Sequence, residues 1–122
     1  MILVDTSIWV GHLRAADKVL TNLLTAGQVL GHPFVVGELA VGNLKPRNVV
    51  LFSMQKLPQA TLSTDREVLH LIDRHALYGT GIGYIDAHLL ASLRLTPGAL
   101  LWTRDKPLQI VAERLGLVWQ PA

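Results

Sequence analysis

At 122 residues the chain has room for one domain, 1–122, burying about two-thirds of the surface that its unfolded form exposes. Half the residues are hydrophobic and none is cysteine, which argues against disorder, excludes structural disulfides and thiolate metal sites, and suits a reducing cytoplasm. The net charge is only +2, no basic segment precedes the first apolar run, and polar or glycine breaks keep every apolar run short of the roughly 20 residues of a membrane span, so neither a signal peptide nor a membrane anchor is expected.

In chain order, "ILV" reads as a short strand that stops at Asp5, and helices are expected over 7–15 and 17–26. "QVLG" at 28–31 is a second strand. Helices over 33–43 and 47–56 follow with no strand between them, so this stretch is expected to pack across one end of the sheet. "ATL" at 60–62 is a third strand. "TDRE", Thr64 to Glu67, is a capping-box pattern opening a helix over 64–78 that buries Val68, Leu69, Leu71 and Ile72. A helix over 84–95, a strand "ALLW" at 99–102, a helix over 106–115 and a strand "GLVW" at 116–119 complete the chain. The helix over 106–115 is the clearest, with Leu108, Val111, Ala112 and Leu115 at i, i+3, i+4, i+7, Pro107 in its first turn and Gly116 past its end. Strands separated by helices imply an α/β fold of three α/β/α layers, a short, mainly parallel central sheet covered by helices.

Four of the nine acids stand where a merely solvated carboxylate is not expected. Asp5 ends the first strand and Asp105 follows the fourth, at the carboxyl ends where open α/β sheets bind ligands. Glu38 shares a helix face with Phe34, Val35, Val41 and Gly42, and Asp86 shares one with Leu89, Leu90 and Leu93. A carboxylate on a core-facing stripe costs several kcal/mol unless it is compensated. No Lys or Arg lies three or four residues from Glu38 or Asp86, so the compensator is a cation. All-oxygen ligands point to Mg²⁺ or Mn²⁺. With these four set aside, eleven Lys and Arg face five acids, a basic exterior suited to a polyanion.

"ILVDTSIWV", "VVGELAVG", "GYIDAHLLA" and "LLWTRDKPL", in this order and spacing, resemble the PIN-domain nucleases, most closely the VapC-type toxins of bacterial toxin–antitoxin pairs, over essentially the whole chain. The resemblance implies that Asp5, Glu38, Asp86 and Asp105 form the catalytic, metal-binding cluster, with Asp5 and Asp86 as the most direct ligands. It implies a Mg²⁺- or Mn²⁺-dependent endoribonuclease leaving a 5′-phosphate and a 3′-hydroxyl, a cognate small antitoxin, and a homodimer. Thr6, Ser7 and Thr103 stand where the family often places hydroxyls beside the site, helix capping or strand-end hydrogen bonding being the structural alternative. Lys106 and Pro107 stand where the family often has a further polar or acidic residue.

Arg104 and Lys106 flank Asp105 and are the first candidates for RNA phosphates, with Lys45 and Arg47 second. Tyr84 or Trp9 could stack an unpaired base, core or dimer packing being the alternative, and Trp102 is core. The five histidines form no metal or nucleophile pattern, and no serine lies in G-x-S-x-G. A phosphoaspartate phosphatase would want a second acid where Ser7 stands, and a catalytically silent RNA- or protein-binding module would have no need of all four acids. The glycines of "GTGIG" do not meet G-x-G-x-x-G and follow a helix rather than a strand, so no nucleotide cofactor is expected. Gly79 reads as the stop of the preceding helix. Gly81 and Gly83 read as the turn that delivers Asp86 to a first helical turn, and Gly83→Val is expected to weaken metal binding.

Overall fold

"ILV" has no polar side chain to offer water, and in the computed structural model, which describes residues 1–122, it is the central strand. Strand β1 (Ile2–Val4) pairs in parallel with β2 (Val29–Leu30) on one side and β3 (Leu100–Trp102) on the other. All three residues of β1 are buried. In the parallel register Val4 lies opposite Trp102, so the residues that follow, Asp5 and Thr103, emerge side by side at one end of the sheet.

Seven helices surround this sheet: α1 (Thr6–Arg14), α2 (Lys18–Thr25), α3 (Pro33–Ala40), α4 (Arg47–Gln55), α5 (Asp65–Arg74), α6 (Tyr84–Leu95) and α7 (Lys106–Arg114). The expected α/β alternation is found, with the sheet parallel throughout. Between β2 and α5 the chain forms only helices and one isolated bridge, and α3 packs against α1 and α4.

Two expected strands shrink to isolated bridges. "ATL" is replaced by a single parallel pairing of Gln59 with Gly31, because Pro58 has no N–H to donate and the Thr61 N–H turns instead to the Thr96 hydroxyl at 3.0 Å. "GLVW" pairs only through Val118 with Leu101, and Pro121 follows too closely for the ladder to extend.

Helix α6 is hydrophobic nearly all round, and every residue from Ala87 to Leu93 is buried. Its first turn is thereby held in place by the core, with Leu89, Leu90 and Leu93 at or near zero exposure. Helix α7 ends as expected, with Gly116 at φ 71° and the Leu117 N–H returning to the Ala112 carbonyl at 2.8 Å.

Helix α5 starts on its capping box but stops four residues before the expected end. Ala76 takes the left-handed conformation at φ 51°, and the Leu77 N–H closes on the Ile72 carbonyl at 3.0 Å, so the turn is a Schellman motif with alanine where glycine is usual. Left-handed alanine costs roughly 1–2 kcal/mol, which the burial of the following Leu77 offsets. Gly79 is therefore a loop residue and not the helix stop. Leu69, expected in the core, is 57% exposed, since α5 buries only Val68 and Leu71 fully.

Candidate active site

The parallel pairing of β1 with β3 decides the geometry of the first two acids. Asp5, 5% exposed, directly follows β1. Its Oδ2 accepts hydrogen bonds from Ser7 Oγ at 2.8 Å and Thr103 Oγ1 at 2.7 Å. Those hydroxyls in turn accept from the backbone N–H groups of Arg104 and Asp105, both at 3.0 Å. The loop after β3 is thus wired to Asp5 through two hydroxyls. Asp105 is the N-cap of α7, with its Oδ2 accepting from the Leu108 N–H at 3.0 Å, and it is exposed.

Glu38 comes from α3 and is half-buried, its Oε1 accepting from the Thr6 hydroxyl at 2.8 Å. The apolar face expected around it is only partly core-facing: Val35 is buried, but Val41 is 90% and Phe34 38% exposed. Asp86 sits in the first turn of α6, half-buried, and its Oδ2 accepts from the Gly83 N–H at 3.0 Å. Burial raises the Asp86 pKa above the ordinary carboxylate value, the negative charges of Asp5, Asp105 and Glu38 raise it further, and the Gly83 hydrogen bond opposes them. Three acids from three other elements therefore act electrostatically on Asp86.

No three of these carboxylates converge at coordination distance, because each is drawn to its own local donor. Those hydrogen bonds all fall on one oxygen of each carboxylate, leaving the second oxygen of each without one. No Lys or Arg forms an ion pair with any of the four, the two ion pairs being His88–Asp65 and Arg104–Asp17. Uncompensated negative charge, hard oxygen donors and one oriented oxygen per group fit a divalent cation.

The three expected hydroxyls, Thr6, Ser7 and Thr103, all donate to site carboxylates. The basic candidates divide. The Arg104 guanidinium turns away to Asp17 at 3.3 Å, Lys106 and Arg47 are exposed, and Lys45 lines a groove of about 540 Å³ that also touches Thr6 and Glu38. Trp9, expected as one of two base-stacking rings, is only 5% exposed and sits edge-on to His12, so it is packing. Trp102 is buried as expected. Tyr84 is 47% exposed, edge-on to His88, and donates its hydroxyl to Asp65 at 2.7 Å.

Asp65 is the acid that sequence reading leaves in its capping segment. It also accepts from His88 Nε2 at 3.0 Å, and the hydrogen bonds from Tyr84 and then His88 lower its pKa. Beside it, Phe34, Val41, Tyr84 and Ile85 line a depression of about 410 Å³ that reaches Glu38. Nothing local in "TDRE" announces this role, which depends on how α5 packs against α6.

The turn before α6 needs glycine at only one of the two expected positions. Gly81 has φ 89°, and a Cβ there would lie 3.4 Å from Pro107 Cβ at the start of α7. Gly83 is extended at φ −90°, and its Cβ would meet nothing closer than Asp86 Oδ2 at 3.8 Å. The strained position is therefore Gly81, while Gly83 admits a Cβ without a clash. Gly81→Ala is expected to cost about 1–3 kcal/mol and Gly83→Ala much less. Equal melting temperatures for the two variants would show that this turn carries no strain.

Residues 2–114 match the PIN domain family. The chain is also 49% identical, over 117 residues, to Ribonuclease VapC32 of Mycobacterium tuberculosis strains CDC 1551 / Oshkosh and ATCC 25618 / H37Rv, an alignment spanning 96% of this chain and 94% of each relative. With its small parallel sheet, its seven helices and four acids in the expected order, the chain belongs to the PIN-domain family, on its VapC-type branch.

Proposed function

We propose that this protein is a Mg²⁺- or Mn²⁺-dependent endoribonuclease and the toxin of a toxin–antitoxin pair, acting as a single domain over residues 1–122. The observation that carries the reading is that Asp5, Glu38, Asp86 and Asp105 come from four elements, each with one oxygen held by a local donor and none with a basic partner, and that the other three add to the negative field at Asp86. The repulsion that Asp5, Asp105 and Glu38 exert on Asp86 is one that a bound cation would reverse. The relatives named ribonucleases support RNA as the substrate.

Asp5 and Asp86 are the direct ligands in this reading, with Glu38 and Asp105 completing the set. Ser7 and Thr103 hold the Asp5 carboxylate, Thr6 holds Glu38, and the Gly83 N–H holds Asp86, so one oxygen of each acid is oriented before any cation binds. A bound divalent cation supplies an activated water and neutralises charge developing on the scissile phosphate. Lys45 on the rim by Glu38 and Lys106 beside Asp105 are placed to meet neighbouring phosphates, while Arg104 must first leave Asp17.

The antitoxin is inferred to set an Arg or Lys against the cluster, reaching it along the groove lined by Val10, Leu13, Leu44 and Lys45. The exposed apolar set Phe34, Val41, Tyr84 and Ile85 suits a second copy in a homodimer. No helix is long and apolar enough to cross a membrane, and we assign the pair to the cytoplasm without a nucleotide cofactor.

Incubation of a single-stranded loop RNA with the protein tests the reading. Cleavage is expected with Mg²⁺ or Mn²⁺ and not with EDTA, and metal at about 100 times its Kd is expected to add roughly 2.7 kcal/mol of stability. Cleavage that persists in EDTA, or a melting curve unmoved by millimolar metal, would overturn the metal assignment. Expression without a partner is expected to arrest growth, and Asp5→Ala to relieve the arrest; equal growth of the two strains would remove the toxin role.

A further inference from the structure

We propose that the groove between α5 and α6 is a second, non-catalytic phosphate-binding site, which holds the sugar–phosphate backbone of single-stranded RNA outside the acidic cluster. The groove encloses about 510 Å³. Arg66, His70 and Arg74 line it at i, i+4 and i+8 on one face of α5, and Arg94 faces them from the last turn of α6. Arginines gathered on one groove repel one another unless an anion lies between them. Here nothing in the fold relieves them: none of these arginines forms an ion pair, and the one acid in the lining, Glu67, has its carboxylate on the Thr64 N–H at 2.9 Å.

Two further atoms of the lining point to a ligand independently of charge. Ser63 Oγ and His75 Nε2 are buried without any hydrogen-bond partner. Buried polar atoms are nearly always paired, and these two orphans beneath one cationic groove are donors that an anion with several acceptor oxygens would satisfy once the side chains turn toward it. His75 also locates the positive charge. Burial lowers its pKa first, and then Arg94, Arg74, Arg114 and His70 each lower it further, so four basic groups surround one ring. The Arg114 guanidinium is fixed there by a hydrogen bond to the His75 carbonyl. Planar guanidinium groups suit the oxygens of a phosphodiester.

The groove lies apart from the acids. Arg94 is eight residues beyond Asp86 on the same helix, about 12 Å along its axis, and the residues between, Ala87 to Leu93, are buried. The choice of RNA as the polyanion rests on the ribonuclease reading; the anion site itself does not.

The test is the salt dependence of RNA binding, measured in EDTA so that no cleavage intervenes. Anisotropy of a labelled single-stranded RNA is followed from about 50 to 200 mM salt, where each phosphate contact contributes roughly 0.7 to the slope of log K against log salt. Arg66→Gln with Arg94→Gln is expected to weaken binding and flatten the slope by about 1.4. The charge-matched pair Lys18→Gln with Lys56→Gln is expected to leave the slope alone, and Arg66→Lys with Arg94→Lys to keep most of it. Equal slopes for the two glutamine pairs would overturn the proposal. So would a glutamine pair in the groove that loses stabilisation by inorganic phosphate yet binds RNA like the wild type, because the site would then serve a small anion. Groove-dependent binding by a protein that cleaves nothing with Mg²⁺ would support the groove and overturn only the nuclease reading.

Discussion

Asp86→Asn is expected to abolish cleavage while making the metal-free protein more stable. The loss should be on the order of 100-fold or more, the upper end of what removing even an outer partner of a metal ligand costs. The gain has a separate cause. Asp86 is half-buried and repelled by Asp5, Asp105 and Glu38, and its only hydrogen bond is the one its Oδ2 accepts from the Gly83 N–H. An asparagine oxygen can accept the same bond without the charge, so the substitution removes desolvation and repulsion and keeps the turn. Melting in EDTA should therefore occur at a higher temperature than for the wild type, and added Mg²⁺ should no longer raise it. A variant that melts lower in EDTA would show that Asp86 is a structural residue and not a strained functional one.

The second large effect belongs to a histidine outside the acidic cluster. His32 is 1% exposed and caps α3, the helix of Glu38: its Nδ1 accepts from the Phe34 N–H at 3.0 Å and its Nε2 lies 3.0 Å from Ser92 Oγ. With Nδ1 accepting, the ring is neutral and Nε2 donates to the serine. Burial, and then the charge of His88, lower its pKa from 6.5 to about 4. A base whose folded pKa is depressed contributes stability above its unfolded value and loses it as pH falls through the folded one. The window is therefore from about 6.5 down to about 4, and the contribution is on the order of 3 kcal/mol. Urea unfolding at pH 7 and again near pH 4 should show that loss in the wild type. His32→Asn keeps an oxygen for the Phe34 N–H; it should be less stable at pH 7 but lose much less on acidification. Equal pH dependence in the two proteins would mean that His32 is not the buried neutral group described.

Protonating His32 also removes the acceptor that starts α3, so the same acidification should loosen the helix on which Glu38 is mounted. The sequence discloses none of this. The histidines form no pattern along the chain because the partners of His32 and His88 are a serine 60 residues away and an aspartate 23 residues away. Trp9 was ambiguous for the same reason, since an aromatic ring reads alike whether it stacks a base or fills the core.

Local physics was legible from the chain itself. Helix positions followed from the 3.6-residue period, from Pro107 and Gly116 at α7 and from the Thr64–Glu67 box at α5, and all seven were found within a few residues. Glu38 and Asp86 were marked by apolar neighbours at helical offsets, and Asp5 and Asp105 by their places after apolar strands, signals that need only sequence distance to detect. Tertiary structure alone decided which hydroxyl oriented which carboxylate, that Gly81 and not Gly83 carries the left-handed turn, and that Glu38 faces an exposed apolar strip. It also decided that the sheet gains one bridge at Gln59, just before "ATL", and one within "GLVW" at Val118, and that three arginines from two helices line one groove. The reason is range: propensity and periodicity act over a few residues, whereas edge pairing, burial and Coulomb coupling depend on residues up to 98 positions apart, as Asp5 and Thr103 are.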